Sequence, residues 1–417
     1  MLMHEEIPLS LYVHIPWCQK KCPYCDFNSH TIATNLPEAR YVESLIKDLE
    51  WDKKLSQGRK INTIFFGGGT PSVFSSKSIG RIIAAIDNLI GISPNAEITI
   101  EANPGSTDKK KYGDFFSVGI NRISIGAQSF QSKHLDSLGR IHSNKDAKDA
   151  IKAATKAGFN NINIDLMHGL PNQDIREAKE DLKIAIGAGA KHISWYQLTI
   201  EPNTEFYSKP PTLPHTDELA DIYDNGMTLL SNQGFEQYEV SAFTSDKKPS
   251  LHNLNYWSFG DYIGIGAGAH GKITTREGDI VRTLKSKMPN SYMERRDKNP
   301  RSRKSVSQDE LITEFMMNAL RLKNGVPWTY FESRTGISQS VISERVINLQ
   351  NQGLLGMGLA ELSEYTADYV DQLRTTGILS EQNNENLEVM AENYLKNITA
   401  FTQLANVSRD QINAVVK

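Results

Sequence analysis

The chain of 417 residues reads as an α/β protein: an open barrel of six βα units, followed by a small, mainly helical, winged-helix-like domain. Three observations predict this. Short β-favouring runs alternate six times with stretches of helical period, the signature of a parallel sheet. Glycines, carboxylates and amides gather where those strands end, the face on which such folds place their chemistry. From about Ser286 the strand pattern gives way to a basic stretch and then to helices.

The elements follow in order. Leu9–Ile15 is apolar and β-favouring, and Pro16 ends it. A cysteine loop comes next, then a helix over Pro37–Leu55, with Pro37 near its first turn and Tyr41, Leu45 and Leu49 at helical spacing. Ile61–Phe66 is a second strand, running into Gly67-Gly-Gly-Thr-Pro71 and a helix from about Ser76 to Leu89. Glu97–Glu101, Arg122–Gly126, Asn161–Asp165 and His192–Leu198 are four more strands. Helices near Asp108–Val118, up to Ala157, near Asp174–Ile186 and near Thr216–Asn232 follow them in turn. The two further units of a closed eightfold barrel are not found. The chain divides at 1–285, a basic connector over 286–307, and a helical domain over 308–417. In the last part Asp309–Arg321, Val326–Thr335 and Ser338–Gln352 read as helices, and 356–417 as extra helices without an assigned role.

Charge excludes some classes. Lys and Arg number 46 against 49 Asp and Glu, so no general pull toward nucleic acid is expected. Ser338-Gln-Ser-Val-Ile-Ser-Glu344 is poor in basic residues, which argues against a DNA role for the helical domain. The basic run Arg295–Lys304 reads as a solvated linker, with contact to an anionic partner or a membrane surface as the alternative. No apolar run approaches the roughly 18 residues of a membrane span, and Met1–Pro8 has no apolar signal core. With three clustered thiols, this favours a reducing cytoplasm.

Those thiols, Cys18, Cys22 and Cys25, are all the cysteines the chain has. An odd number inside eight positions is no disulfide framework. Thiolates suit zinc or iron–sulfur clusters. On a four-iron cluster, three ligands leave one iron open to a substrate or cofactor. A Cys3His zinc site using His14 or His30 is the alternative.

Tyr12-x-His14-x-Pro16-x-Cys18-x3-Cys22-x2-Cys25 resembles the radical S-adenosylmethionine superfamily. More narrowly it is similar to the branch that holds oxygen-independent coproporphyrinogen III oxidase and the haem chaperones of the HemW type. The resemblance implies a [4Fe–4S] cluster on Cys18, Cys22 and Cys25, with S-adenosylmethionine (SAM) on its fourth iron. It also implies SAM contacts at Tyr12, Gly68, Gly69, Thr70, Glu101, Gln128, Arg140 and Asp165. Taken alone, the glycines could be a tight turn, and the Gln or Asp could serve only buried backbone groups.

A second segment is Leu251-His-Asn-Leu-Asn-Tyr-Trp257, followed by Gly264-Ile-Gly-Ala-Gly-Ala-His-Gly271. Imidazole is a common haem ligand and aromatic rings can flank a porphyrin. On physics alone, a hydrogen-bonded loop histidine with packed aromatics is the better account of His252. His252-Asn253-x-x-Tyr256-Trp257 resembles the haem-binding signature of HemW proteins, which implies haem contact at His252, Tyr256 and Trp257. His270 is a second candidate. The glycines at 264–268 lack the spacing of a dinucleotide fingerprint. The oxidase carries a further cysteine where this chain has Phe27, and a longer N-terminal extension than the eight residues here. Both departures point to the chaperones. The expected activity is therefore haem carriage without decarboxylation and without catalytic residues. The expected partners are haem and haem-accepting proteins, with a homodimer and a peripheral membrane contact left open. The resemblance lapses after about residue 355.

Overall fold

In the computed structural model, residues 7–33, 35–294, 301–352 and 355 are described. The helices expected over 356–417, and residues 295–300 of the basic run, lie outside them. One compact unit runs through Tyr256 and from Gly260 to Ser305; the other holds Trp257–Phe259 and begins again at Val306.

The six expected strands form and are parallel. They are β1 (Leu9–Ile15), β2 (Ile61–Gly68), β3 (Ile92–Ala102), β4 (Arg122–Gln128), β5 (Ile162–His168) and β6 (His192–Gln197). Several of them alternate, as in Ile98-Thr-Ile-Glu101, Ile123-Ser-Ile-Gly126 and Ile162-Asn-Ile-Asp165. Side chains of a strand alternate between faces. The isoleucines are buried against the helices, in a core with Leu45, Ile82, Ile151 and Leu182. The polar partners share the other face and bond to one another there: Thr63 to Ser10 at 2.7 Å, Asn163 to Ser124 at 2.7 Å, His192 to Asn163 at 2.6 Å. Between strands the helices start on local caps. Ser75 accepts the Ser78 amide, and Ser143 with Asp146 and Asp174 with Glu177 form reciprocal boxes.

Six further strands join the same sheet. They are β7 (Glu236–Glu239), β8 (Ala242–Thr244), β9 (Asp261–Ile265), β10 (His270–Thr274), β11 (Ile280–Lys285) and β12 (Arg301–Ser305). The order is β12-β11-β10-β9-β1-β2-β3-β4-β5-β6-β8-β7, so the barrel stays open. Strand β9 runs parallel to β1, with Tyr12 opposite Gly264; β10, β11 and β12 continue antiparallel. Arg301–Ser305, read from sequence as part of a solvated linker, is thus a strand paired with β11. The glycine-rich run at 264–268 was equally opaque, because its ladder partner is β1, far away in the chain.

The second unit has helices Gln308–Ala319, Thr329–Thr335 and Ser340–Asn351 among its described residues. Phe315 meets Phe331 edge-on at 5.2 Å and Phe259 at 5.5 Å between ring centroids. Arg334 donates to the Ser258 carbonyl. Among the described residues no helix is long and apolar enough to cross a membrane.

Candidate cluster and cofactor site

The cysteine loop opens where β1 ends. Trp17–Cys18 pairs with His30–Thr31, so the loop leaves and rejoins at one place. Its tip turns on a Cys25 amide bond to the Cys22 carbonyl at 3.2 Å. All three thiols are free of disulfides. Each has a hydrogen-bonding neighbour: Thr70 Oγ1 donates to Cys18 Sγ (3.5 Å), Arg140 Nη1 to Cys22 Sγ (3.7 Å), and Ser29 Oγ lies 3.6 Å from Cys25 Sγ. Asn103 joins the first two: its Nδ2 donates to Thr70 Oγ1 at 2.9 Å and its Oδ1 accepts from Arg140 Nη2 at 2.7 Å. Arg140 also holds the Gly126 carbonyl at 2.7 Å, and a Cβ at Gly126 would lie 3.4 Å from that guanidinium. Burial raises the Cys18 thiol, against the pull of Thr70 and Arg140. A set of free thiols ringed by donors suits a bound group that makes them anionic. Asn103 escaped the sequence reading, although it stands two residues past Glu101 at a strand end.

His14 is not available as a fourth ligand. Its Nδ1 bonds the Tyr12 hydroxyl at 3.0 Å and its Nε2 the Asn28 carbonyl at 2.9 Å. His30 bonds Asn28 Oδ1 at 3.3 Å. Among the described residues no three His, Cys, Asp or Glu side chains are grouped to hold one metal ion. A tetrahedral zinc thiolate site needs sulfurs roughly 3.8 Å apart, so the Cys3His arrangement has no support here.

The three glycines are sterically required. A Cβ at Gly67 would lie 2.9 Å from the Tyr12 ring, at Gly68 2.6 Å from the His14 ring, and at Gly69 2.7 Å from the Trp17 carbonyl. Gly68 also has φ +120°, which side chains resist. The amides here are already engaged: Gly68 to Glu101 Oε2 (3.1 Å), Gly69 to the Ile15 carbonyl (2.9 Å), Thr70 to the Trp17 carbonyl (2.8 Å). Any ligand group met by this turn must therefore be a donor, such as an ammonium.

Two carboxylates lie near the turn. Glu101 is half-buried and its pKa is raised to about 8, first by desolvation and then by Asp165, against the Gly68 amide. Asp165 is also raised by burial, although Ser124 (2.8 Å) and Asn163 (2.7 Å) donate to it. Two such acids in one desolvated place favour a cationic ligand. Gln128, at φ +65°, ends β4 in the left-handed region and accepts from the Tyr196 hydroxyl at 2.6 Å. Backbone strain of this kind is common at ligand sites. Tyr12, Gly68–Thr70, Glu101, Gln128, Arg140 and Asp165 are thus brought to one end of the strands.

His252 is elsewhere. It sits in helix Leu251–Trp257, not in a loop, and is 1% exposed. Glu97 on β3 accepts the Leu251 and His252 amides at 3.2 and 3.1 Å, fixing the helix start. The His252 ring bonds Thr63 (2.7 Å) and Tyr256 (3.0 Å), and stacks on Phe65 at 5.1 Å. Burial, then Arg122, lowers its pKa to about 3. Thr63 stands near the start of β2 and the glycine turn at its end, four residues or about 13 Å apart. Trp257 lies under the Arg321 guanidinium, 4.3 Å from the ring centroid. The expected haem contacts thus differ: His252 is buried with both ring nitrogens in hydrogen bonds, whereas Tyr256 and Trp257 are half-buried.

The family model described as Radical SAM superfamily matches residues 12–184, and that of the HemN C-terminal domain matches 306–356. Heme chaperone HemW of Escherichia coli (strain K12) is 47% identical over 348 residues, covering 84% of this chain and 92% of that protein. The chain belongs to the HemW family of radical SAM proteins. Heme chaperone HemW of Haemophilus influenzae is 48% identical over 81% of this chain and 89% of its own. Among solved structures, the Escherichia coli coproporphyrinogen III oxidase HemN superposes with a TM-score of 0.71, covering 85% of this chain and 86% of that one. At 21% identity this likeness concerns the fold alone. The HemW family's radical SAM scaffold implies SAM and a [4Fe–4S] cluster.

Proposed function

We propose that this chain is a cytoplasmic haem chaperone, taking up haem and passing it to haem-requiring proteins. The observation that carries this is the identity of 47–48% to proteins named heme chaperone HemW over most of both lengths. Cys18, Cys22 and Cys25 would hold the cluster. Tyr12, the Gly68–Thr70 turn, Glu101, Gln128, Arg140 and Asp165 would hold SAM. When bound, the cluster supplies an open iron for the SAM amino acid group and electrons at low potential. The chain's own part is electrostatic: Thr70, Arg140 and Ser29 direct donors at sulfur, Arg140 and Asn103 tie two cysteines together, and Glu101 with Asp165 balances ligand cation. Phe27 is 65% exposed where the oxidase has its further cysteine, which supports a carrier over a decarboxylase.

A haemin titration of anaerobically reconstituted protein tests the reading. A saturable Soret band near one haem per chain is expected. Protoporphyrinogen formed from coproporphyrinogen III, with SAM and reductant, would overturn it in favour of the oxidase. His252→Ala should lower stability by about 1–3 kcal/mol, since Thr63 and Tyr256 lose a buried partner, with haem affinity unchanged. Loss of haem by a folded H252A protein would mean that helix Leu251–Trp257 leaves the strands to bind it.

Thr70→Val keeps the shape and removes one O–H donor from Cys18. Donors to sulfur stabilise the reduced, more negative cluster. The cluster potential should fall by on the order of 40 mV, about 1 kcal/mol of hydrogen bond expressed for one electron. Spectroelectrochemistry reads it; an unmoved potential would remove Thr70 from the cluster's surroundings.

A further inference from the structure

Gln128 reaches its place by a backbone path that a regular strand does not supply. The β4–β5 ladder pairs Gly126 with Asp165 but Gln128 with Leu166, so the register slips just before Gln128. The Ser129 amide then donates to the Ala127 carbonyl at 2.8 Å, closing a three-residue turn with Gln128 at its centre, φ +65°. Three-residue turns with positive φ at the centre are the rare, strained form. Such a conformation persists only where its surroundings over-determine it.

The turn fixes what the side chain offers. The Tyr196 hydroxyl donates to Gln128 Oε1 at 2.6 Å, so the amide is held one way round. Its Nε2 lies over Gly126, where a Cβ would come within 3.0 Å of it and 3.4 Å of Arg140 Nη2. Among the described residues nothing accepts from that Nε2. A buried amide donor without an acceptor is complementary to an acceptor on a ligand.

The clamp on the turn comes from outside the strands. Asp181, in helix Ile175–Gly187, is 0% exposed. Its Oδ2 accepts the Ser129 hydroxyl at 2.6 Å and its Oδ1 the Phe130 amide at 2.7 Å. Ser129 Oγ in turn accepts the Gln131 amide at 3.0 Å. One carboxylate thus takes both residues that follow Gln128, ahead of helix Ser132–Ser137. His142 Nε2 donates to the Ala127 carbonyl at 3.0 Å, and Asn144 Nδ2 to the Phe130 carbonyl at 2.6 Å.

We infer that Asp181 is a positioning residue of the SAM site: by holding Ser129 and Phe130 it keeps Gln128 in its strained turn, with Nε2 presented to an acceptor on bound SAM. Asp181 does not itself meet the ligand. The inference rests on the reading that places SAM at Gln128.

The test is a calorimetric SAM titration of the anaerobically reconstituted full chain and four variants, with iron and sulfide counted in each. Asp181→Ala should weaken SAM roughly tenfold with cluster content unchanged. Asp181→Asn keeps an acceptor for the Phe130 amide and a donor for Ser129 Oγ, and should stay within about twofold of the parent. Gln128→Ala should weaken SAM by a factor similar to Asp181→Ala. The double variant Asp181→Ala/Gln128→Ala should bind no more weakly than Gln128→Ala, because nothing is left to position. Losses that add in the double variant would overturn the inference, as would parental affinity in Asp181→Ala. If Asp181→Ala takes up no cluster, Ser129→Ala replaces it in the cycle, with a smaller loss that again vanishes beside Gln128→Ala. Parental affinity in Gln128→Ala would instead remove Gln128 from the SAM site, and the inference with it. A parent that binds no SAM would end the SAM reading itself.

Discussion

Lys285→Met is expected to destabilise the main unit by about 3–5 kcal/mol, the cost of leaving buried charge unpaired. Lys285 ends β11 with its ammonium on Asp48, and on Asp52 at 2.6 Å; all three side chains are 0% exposed. The carboxylates come from helix Glu38–Asp52, one turn apart on the same face. Burial raises Asp48, and Lys285 opposes that rise. The network continues toward the site. Tyr292 donates to Asp48 at 2.6 Å and accepts the Gly266 amide at 3.1 Å. Tyr41 donates to the His14 carbonyl at 2.9 Å and accepts the Ala267 amide at 2.8 Å. So the ion pair sets where β1 and the glycine run meet, and through them where the cysteine loop starts. A lowered denaturation midpoint, with loss of cluster incorporation, is the expected result. Changing Asp48, Asp52 and Lys285 together to apolar residues should cost much less than Lys285→Met, because no charge is then stranded. A Lys285→Met protein as stable as the parent would show that the pair is solvated.

What the sequence made legible was local. Helices Ser76–Leu89 and Thr216–Asn232 run where their periodicity put them, because caps and apolar spacing lie within each segment. The cysteines, Gly67–Gly69 and Glu101 were legible because each stands at or just past the end of a β-favouring run, and Asp165 because it lies on the polar face of a plainly alternating strand. What stayed hidden depends on distant partners. Lys285 and Asp48 are 237 positions apart. β9 looks like a glycine-rich loop until β1 supplies its ladder. His252 follows Pro249-Ser250 and reads as a loop residue, yet Glu97, 155 positions back, accepts its amide and starts a helix there. A turn signal was present, and a carboxylate from another strand overrode it. Asn103 could have been found, since an amide just past a strand-ending Glu sits on the same face as the rest of the site.

Glu101 should make the affinity for SAM rise with pH between about pH 6 and 7.5, contributing at most tenfold per unit from its one proton. The sign follows from Glu101. Without ligand its pKa is about 8, so at neutral pH the side chain is mostly protonated. A sulfonium or ammonium beside it favours the carboxylate and pulls that pKa down. Binding therefore releases a proton below pH 8 and releases less as Glu101 ionises unaided. The same raised pKa makes the ligand-free fold lose stability as pH climbs from the ordinary carboxylate range toward 8, and SAM should restore it. Glu101→Gln should bind SAM more weakly above neutral pH and with a flatter pH profile. S-adenosylhomocysteine separates the two cations. It keeps the ammonium and lacks the sulfonium, so an undiminished slope assigns Glu101 to the amino acid end, beside the Gly68 amide. A lost slope assigns it to the sulfur. Calorimetry in buffers of different ionisation enthalpy counts the proton directly. No proton release by the parent protein would mean that Glu101 is already ionised, with Asp165 carrying the proton of the pair.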